Sequence, residues 1–102
     1  MNTAYDFLRE YVPLRYSLKT REDGEFLIAS NREENIYYLN GMAREIWYMF
    51  DGNISIEGIC NKILAEYDAE REIVEIDIIK LIRDLQRKKL IRLKRSNNNE
   101  EI

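Results

Sequence analysis

The stretch IYYLNGMAREIWYMFDG, residues 36–52, changes its hydrophobic period partway along. Ile36-Tyr37-Tyr38-Leu39 is a short run of β-branched, aromatic and aliphatic residues, which favours a strand. Asn40 then stands where a helix N-cap is expected. Ala43, Ile46, Trp47 and Phe50 recur at helical spacing, and Gly52 suits the left-handed residue that closes a helix. The spacing therefore predicts a strand over Ile36–Leu39 and a helix over Gly41–Asp51.

Upstream of this switch the pattern is strand-like. Leu14, Tyr16, Leu18 and Thr20 alternate with Arg15, Ser17, Lys19 and Arg21, which predicts one half-buried strand over Leu14–Arg21. Glu22-Asp23-Gly24 supplies a turn, Glu25–Ser30 a second strand, and Asn31–Asn35 a polar turn into Ile36–Leu39. Short turns between consecutive strands imply an antiparallel meander. Pro13 biases Val12 toward extended backbone, and residues 1–12 read as an arm, either a short docked helix or extended.

Downstream the pattern is helical. Ser55 caps a helix over Ile56–Tyr67 with Ile56, Ile59, Cys60, Ile63 and Leu64 on one stripe. A further helix runs from about Ile73 to Lys88. Leu90–Leu93 is a short apolar segment suited to a wing, and residues 94–102 read as a disordered tail. Strands grouped before helices make the class α+β. The expected architecture is winged helix-turn-helix-like: a three-stranded antiparallel sheet followed by three helices, in one domain over residues 13–93.

Composition narrows the function. The chain has 102 residues, no histidine, a single cysteine and four isolated glycines. Histidine-based catalysis, a thiolate metal site and a glycine-rich phosphate loop are all excluded from the sequence reading, so no enzyme activity, metal or cofactor is expected. Lone Cys60 cannot form an internal disulfide and fits a reducing cytoplasmic setting. No apolar run is long enough to span a membrane, and nothing reads as a signal peptide. Net charge is −3, yet residues 80–102 carry eight basic and three acidic side chains, or +5, leaving −8 on residues 1–79. The basic end is a candidate nucleic-acid surface. The helices offer few base-reading side chains, however, and the chain as a whole is acidic, so nucleic acid is disfavoured.

Two features point instead to a peptide. Ile36–Leu39 is apolar and carries no charge or proline, the usual protections of an edge strand. Either it is a buried central strand or it accepts a peptide as an added strand, and residues alone leave both readings open. Ile76 and Ile79 lie off the core stripe of the last helix, with Lys80 and Arg83 beside them. They could wall a groove or simply widen the core face.

IYYLNGMAREIWYMFDGNISIEGICNKILAEYD followed by IVEIDIIKLIRDLQRKKLI resembles the PqqD-like family, the precursor-peptide recognition elements. The shared features are Leu39-Asn40, Ala43, Ile46-Trp47, Asp51-Gly52, Ser55, Ile59, Tyr67, Asp77-Ile78, Leu81-Ile82, Leu85 and Leu90-Ile91. The resemblance covers about residues 13–93. It implies a non-catalytic domain that binds the leader of a ribosomally made precursor peptide. The leader would lie as a strand antiparallel to Ile36, Tyr37, Tyr38 and Leu39, against Ile76, Ile79, Lys80 and Arg83. It further implies presentation to a separate modifying enzyme, a radical-SAM enzyme or a lasso-peptide leader peptidase. The alternatives are a winged-helix DNA-binding or regulatory domain and a homodimer paired through the open strand. Lys89 stands where the family usually has glycine, and a left-handed lysine costs about 1 kcal/mol, so the last helix is expected to end differently.

Overall fold

The computed structural model describes residues 3–95, which form nine elements. Helix α1 (Thr3–Leu8) leads into strand β1 (Tyr11–Arg15). Strands β2 (Lys19–Asp23), β3 (Phe26–Ser30) and β4 (Ile36–Leu39) follow as a meander. Helices α2 (Gly41–Trp47), α3 (Ile56–Glu66) and α4 (Arg71–Arg87) come next, and β5 (Ile91–Arg95) closes the described chain. The class is α+β with a three-stranded antiparallel sheet in the order β2-β3-β4.

Four corrections to the sequence reading follow. One helix, α1, precedes the sheet, so the order is not a sheet followed by three helices. The winged helix-turn-helix arrangement is not established, because the terminal segment pairs with β1 in a separate two-stranded sheet. The expected strand over Leu14–Arg21 is two strands in two sheets. Tyr16 donates its N–H to the Leu90 carbonyl and Leu18 donates its own to Ser30, so the chain changes sheets at 16–18 while its alternation continues unbroken. Leu18 and all of β2 are exposed, so Leu14, Tyr16, Leu18 and Thr20 do not form one buried face. Finally, Lys94 and Arg95, assigned to the tail, pair with Val12 and Tyr11. The rest of that tail, residues 96–102, lies outside the described residues.

The N-terminal arm is part of the core. Tyr5 and Leu8 are buried, and α1 packs against α4. The Arg9 carbonyl accepts from Glu57 N–H at 2.9 Å and its guanidinium pairs with the Glu57 carboxylate at 2.6 Å. This satisfies one of the orphan donors at the start of α3. Ser55 satisfies another, its hydroxyl accepting from Gly58 N–H at 3.0 Å. Asn40 holds the N-cap position in extended backbone, but its side chain makes no capping bond.

Helix α2 ends at Trp47, short of the expected Asp51, and the chain turns inward. Trp47 and Phe50 are fully buried and meet edge to face, centroids 6.4 Å apart. Each such side chain contributes about 2–3 kcal/mol by burial. Gly52, at φ +82, donates its N–H to the Pro13 carbonyl at 3.1 Å, while Leu14 bridges to Asp51. The α2–α3 connection is thereby stitched to β1. Ile78, Ile82, Leu85, Leu90 and Leu93 complete the centre, against Leu27 and Ala29 of the sheet.

Helix α4 ends as it would with glycine. Lys89 adopts φ +59, its N–H donates to Gln86, and Leu90 N–H reaches back to Leu85 at 3.0 Å. This satisfies the last carbonyls in the manner of a Schellman cap. The expectation of a different end is corrected: the fold imposes the left-handed conformation, and the Lys89 ammonium meets the Glu33 carboxylate at 2.5 Å. That exposed pair offsets little of the strain. Lys89→Gly is therefore expected to stabilise the protein by up to about 1 kcal/mol. Thermal unfolding should show a rise of roughly 4–8 °C per kcal/mol. A fall in Tm would show that the ion pair outweighs the backbone strain.

Candidate functional site

Among the described residues, strand β4 is an edge, hydrogen-bonded to β3 alone. Its register pairs Leu27 with Leu39, Ile28 with Tyr38, Ala29 with Tyr37 and Ser30 with Ile36. In an antiparallel ladder each residue turns both backbone groups to one side, and neighbours alternate. Ser30 gives its carbonyl to Leu18 of the β2 side, and Asn31 N–H donates to the Asn35 carbonyl. Tyr37 and Leu39 are therefore the residues bonded to β3. Ile36 and Tyr38 direct their N–H and C=O groups to the open edge.

Side chains alternate as well. Leu39 is buried and Tyr37 half-buried on the core side. Ile36 and Tyr38 are 61% and 64% exposed on the outer face, where Tyr38 meets Phe26 edge to face at 5.9 Å. Two apolar side chains and two residues' worth of backbone groups are thus exposed on one short strand.

Helix α4 ends near the start of β4 while its first half meets α2, which follows β4, so it runs reversed in direction relative to β4. At one end the Lys88 ammonium sits 5.1 Å from the centre of the Tyr37 ring. At the other, Met42 and Ile46 of α2, which follows β4, share a cleft with Val74 and Ile78 of α4. Asn31 fixes this arrangement. It is buried, its amide N–H donates to the Lys88 carbonyl at 2.9 Å, and its amide oxygen accepts from Glu33 and Asn35 N–H. One side chain thus ties the β3–β4 turn to the end of α4. Sequence reasoning placed Asn31 in a polar turn. An asparagine at a turn start signals its local bonds, but not the contact to Lys88, 57 positions away.

The structure brings Ile36, Tyr37, Tyr38 and Leu39 together on the open strand. It distributes the α4 residues differently. With about 100° per residue, Asp77, Leu81 and Asp84 fall within about 40° of Lys88, the residue that meets Tyr37. Lys80 stands about 80° away, and Ile76, Ile79 and Arg83 about 120–180° away. Ile79 is buried in the core and Ile76 half-buried, while Lys80 and Arg83 are exposed. Glu75, one turn before Ile79, lies near Tyr5 of α1, so that flank of α4 faces α1.

Burial pushes the Cys60 thiol up to about 11 and the Tyr5 hydroxyl up to about 12, so both stay protonated at neutral pH. No cluster of His, Cys, Asp or Glu among the described residues could hold a metal ion. No helix among them is long and apolar enough to cross a membrane.

By architecture this is a small α+β domain whose three-stranded sheet has the apolar strand β4 at one edge. Residues 25–91 match the family described as coenzyme PQQ synthesis protein D (PqqD), and the chain belongs to that family. Its relatives include a "PqqA binding protein" of Xanthomonas oryzae pv. oryzae strain PXO99A, 35% identical over 60 residues. A protein of the same name from Xanthomonas euvesicatoria pv. vesicatoria strain 85-10 is 33% identical over 60 residues. Each alignment spans 59% of this chain and 65% of the relative. No solved structure matches the chain.

Proposed function

We propose that this protein binds a ribosomally made precursor peptide by strand addition to β4, and that it acts without catalysis of its own. The single observation that carries the reading is the outward backbone of Ile36 and Tyr38 on an apolar edge without charge or proline. Two N–H and two C=O groups await partners, and each net hydrogen bond is worth about 1 kcal/mol. Side chains of alternate peptide residues then face either the cleft beside α4 or the outer pair Ile36 and Tyr38. Among the α4 positions, Leu81 and Lys88 lie toward the bound strand and Lys80 stands at its rim. Ile76, Ile79 and Arg83 lie on the flanks turned away.

Membership in the PqqD family and the names of the Xanthomonas relatives support a peptide ligand. The peptide's own disorder costs several kcal/mol on binding, so a Kd of about 0.1–1 μM is expected. Held this way, the precursor is presented to a separate modifying or processing enzyme, a radical-SAM enzyme or a leader peptidase, at raised effective concentration.

The test is a titration with synthetic precursor leaders encoded near this chain's gene, read by calorimetry at low and high salt. Saturable binding that changes little with salt is expected, together with amide shifts confined to residues 36–39 and the facing side of α4. Binding that collapses with salt would mark a charge-driven contact of the kind nucleic-acid surfaces make and would overturn strand addition. Saturable binding with amide shifts elsewhere would overturn the site.

A further inference from the structure

Beyond the end of β4, an apolar cleft of about 350 Å³ lies between α2, the end of α3 and the first half of α4. Ile46, Val74 and Ile78 form its buried floor. Met42, Tyr67 and Ile73 stand on its rim, 39%, 40% and 52% exposed. Large apolar side chains left this exposed around one concavity are a binding feature more often than chance surface.

Its surroundings are acidic. Asp77 lines the cleft, and Glu66, Asp68 and Glu70 flank Tyr67 and Ala69 on the exposed connection into α4. Glu45 accepts from the Tyr67 hydroxyl at 2.9 Å on the α2 side. The one base in this connection, Arg71, pairs with Glu75. At the far end of α4, Arg87 and Lys88 pair with Asp84 and Lys89 pairs with Glu33, so the bases there are largely matched by acids. Unmatched charge is therefore concentrated at the acidic, apolar end beside Ile73. The distance from Ile78 to Lys88 along α4 is about 15 Å, the span of about five extended residues.

We propose that this cleft seats a large apolar side chain with a neighbouring Lys or Arg, contributed by the N-terminal side of the bound peptide. The inference rests on strand addition at β4. A peptide antiparallel to β4 has its N-terminal side where β4 ends, beside Met42. Charge complementarity with the acidic surroundings of the cleft then selects a basic and apolar segment on that side.

The experiment selects random 16-residue peptides displayed on phage against the immobilised full chain, then measures the strongest by fluorescence anisotropy. Enriched peptides should carry Leu, Ile, Met or Phe beside Lys or Arg on the N-terminal side of a strand-forming stretch. Met42→Glu and Ile73→Glu, both at exposed positions, should weaken that peptide at least tenfold. Phe7→Glu, on the still more open surface of α1, should leave it within twofold. The Glu70→Gln, Asp77→Asn double variant should no longer distinguish the peptide's Lys or Arg from Gln. Affinity indifferent to Met42→Glu and Ile73→Glu but lost in Tyr38→Pro overturns the cleft and leaves strand addition standing. Indifference to all three variants, or a selection that enriches nothing, overturns both.

Discussion

Tyr38→Pro is expected to weaken precursor-peptide binding by at least tenfold while leaving the domain folded. Proline lacks an N–H, and the Tyr38 N–H points to the open edge, away from β3. The substitution therefore removes a docking donor and sets a ring in the path of an approaching strand. The bonds that hold β4 to β3 run through Tyr37 and Leu39 and are spared. Tenfold corresponds to about 1.4 kcal/mol, close to one net hydrogen bond and the lost fit around it. Calorimetry gives the affinity, and far-UV circular dichroism with a melting curve shows whether the fold survives. Tyr38→Thr keeps the N–H and a strand-forming side chain, and should retain most of the binding. A folded Tyr38→Pro protein with unchanged affinity would rule out β4 as the docking edge.

Asn31→Ala is expected to cost about 3 kcal/mol of stability, since three hydrogen bonds of a buried side chain are lost at about 1 kcal/mol each. For a domain of this size that lowers Tm by about 12–24 °C. The orphaned groups are backbone: the Lys88 carbonyl and the N–H groups of Glu33 and Asn35. Asn31→Asp keeps the two acceptor bonds but turns an oxygen toward the Lys88 carbonyl, so it should recover only part of the loss. Because Asn31 sets the distance between β4 and α4, peptide affinity should fall in the same variants at temperatures where they remain folded. A loss below 1 kcal/mol would show that water or Lys88 itself takes over the turn, and that the clamp does not set the groove.

The two variants probe different layers of one device. Tyr38 supplies the edge, and Asn31 holds the helix that walls it. Lys89 belongs to the same junction: its left-handed backbone lets the chain leave α4 and enter β5, and its side chain reaches the turn that Asn31 braces. A strained lysine, a buried asparagine and an ion pair to Glu33 all converge where the end of α4 meets the β3–β4 turn.

The sequence by itself determined the elements whose signals are local. The switch of period at Asn40 separated β4 from α2. Ser55 announced α3, and the stripe from Ile78 to Leu85 announced α4 within two residues at either end. Apolar Ile36–Leu39, lacking charge and proline, already suggested an unprotected edge, and family resemblance pointed toward a peptide. Tertiary structure alone decided three matters. Alternation through Leu14–Arg21 cannot show that the chain leaves one sheet for another at Tyr16, because side-chain period is the same in both. The stripe of α4 gave its core face, but which flank lies along β4 depended on Lys88 packing over Tyr37 and on α1 covering the side near Glu75. Residues 3–8 carried too short an amphipathic pattern to choose between arm and helix, and burial of Tyr5 and Leu8 against the rest of the core settled it. Period and capping are properties of neighbouring residues, whereas sheet partners, groove walls and buried clamps depend on residues far apart in the chain.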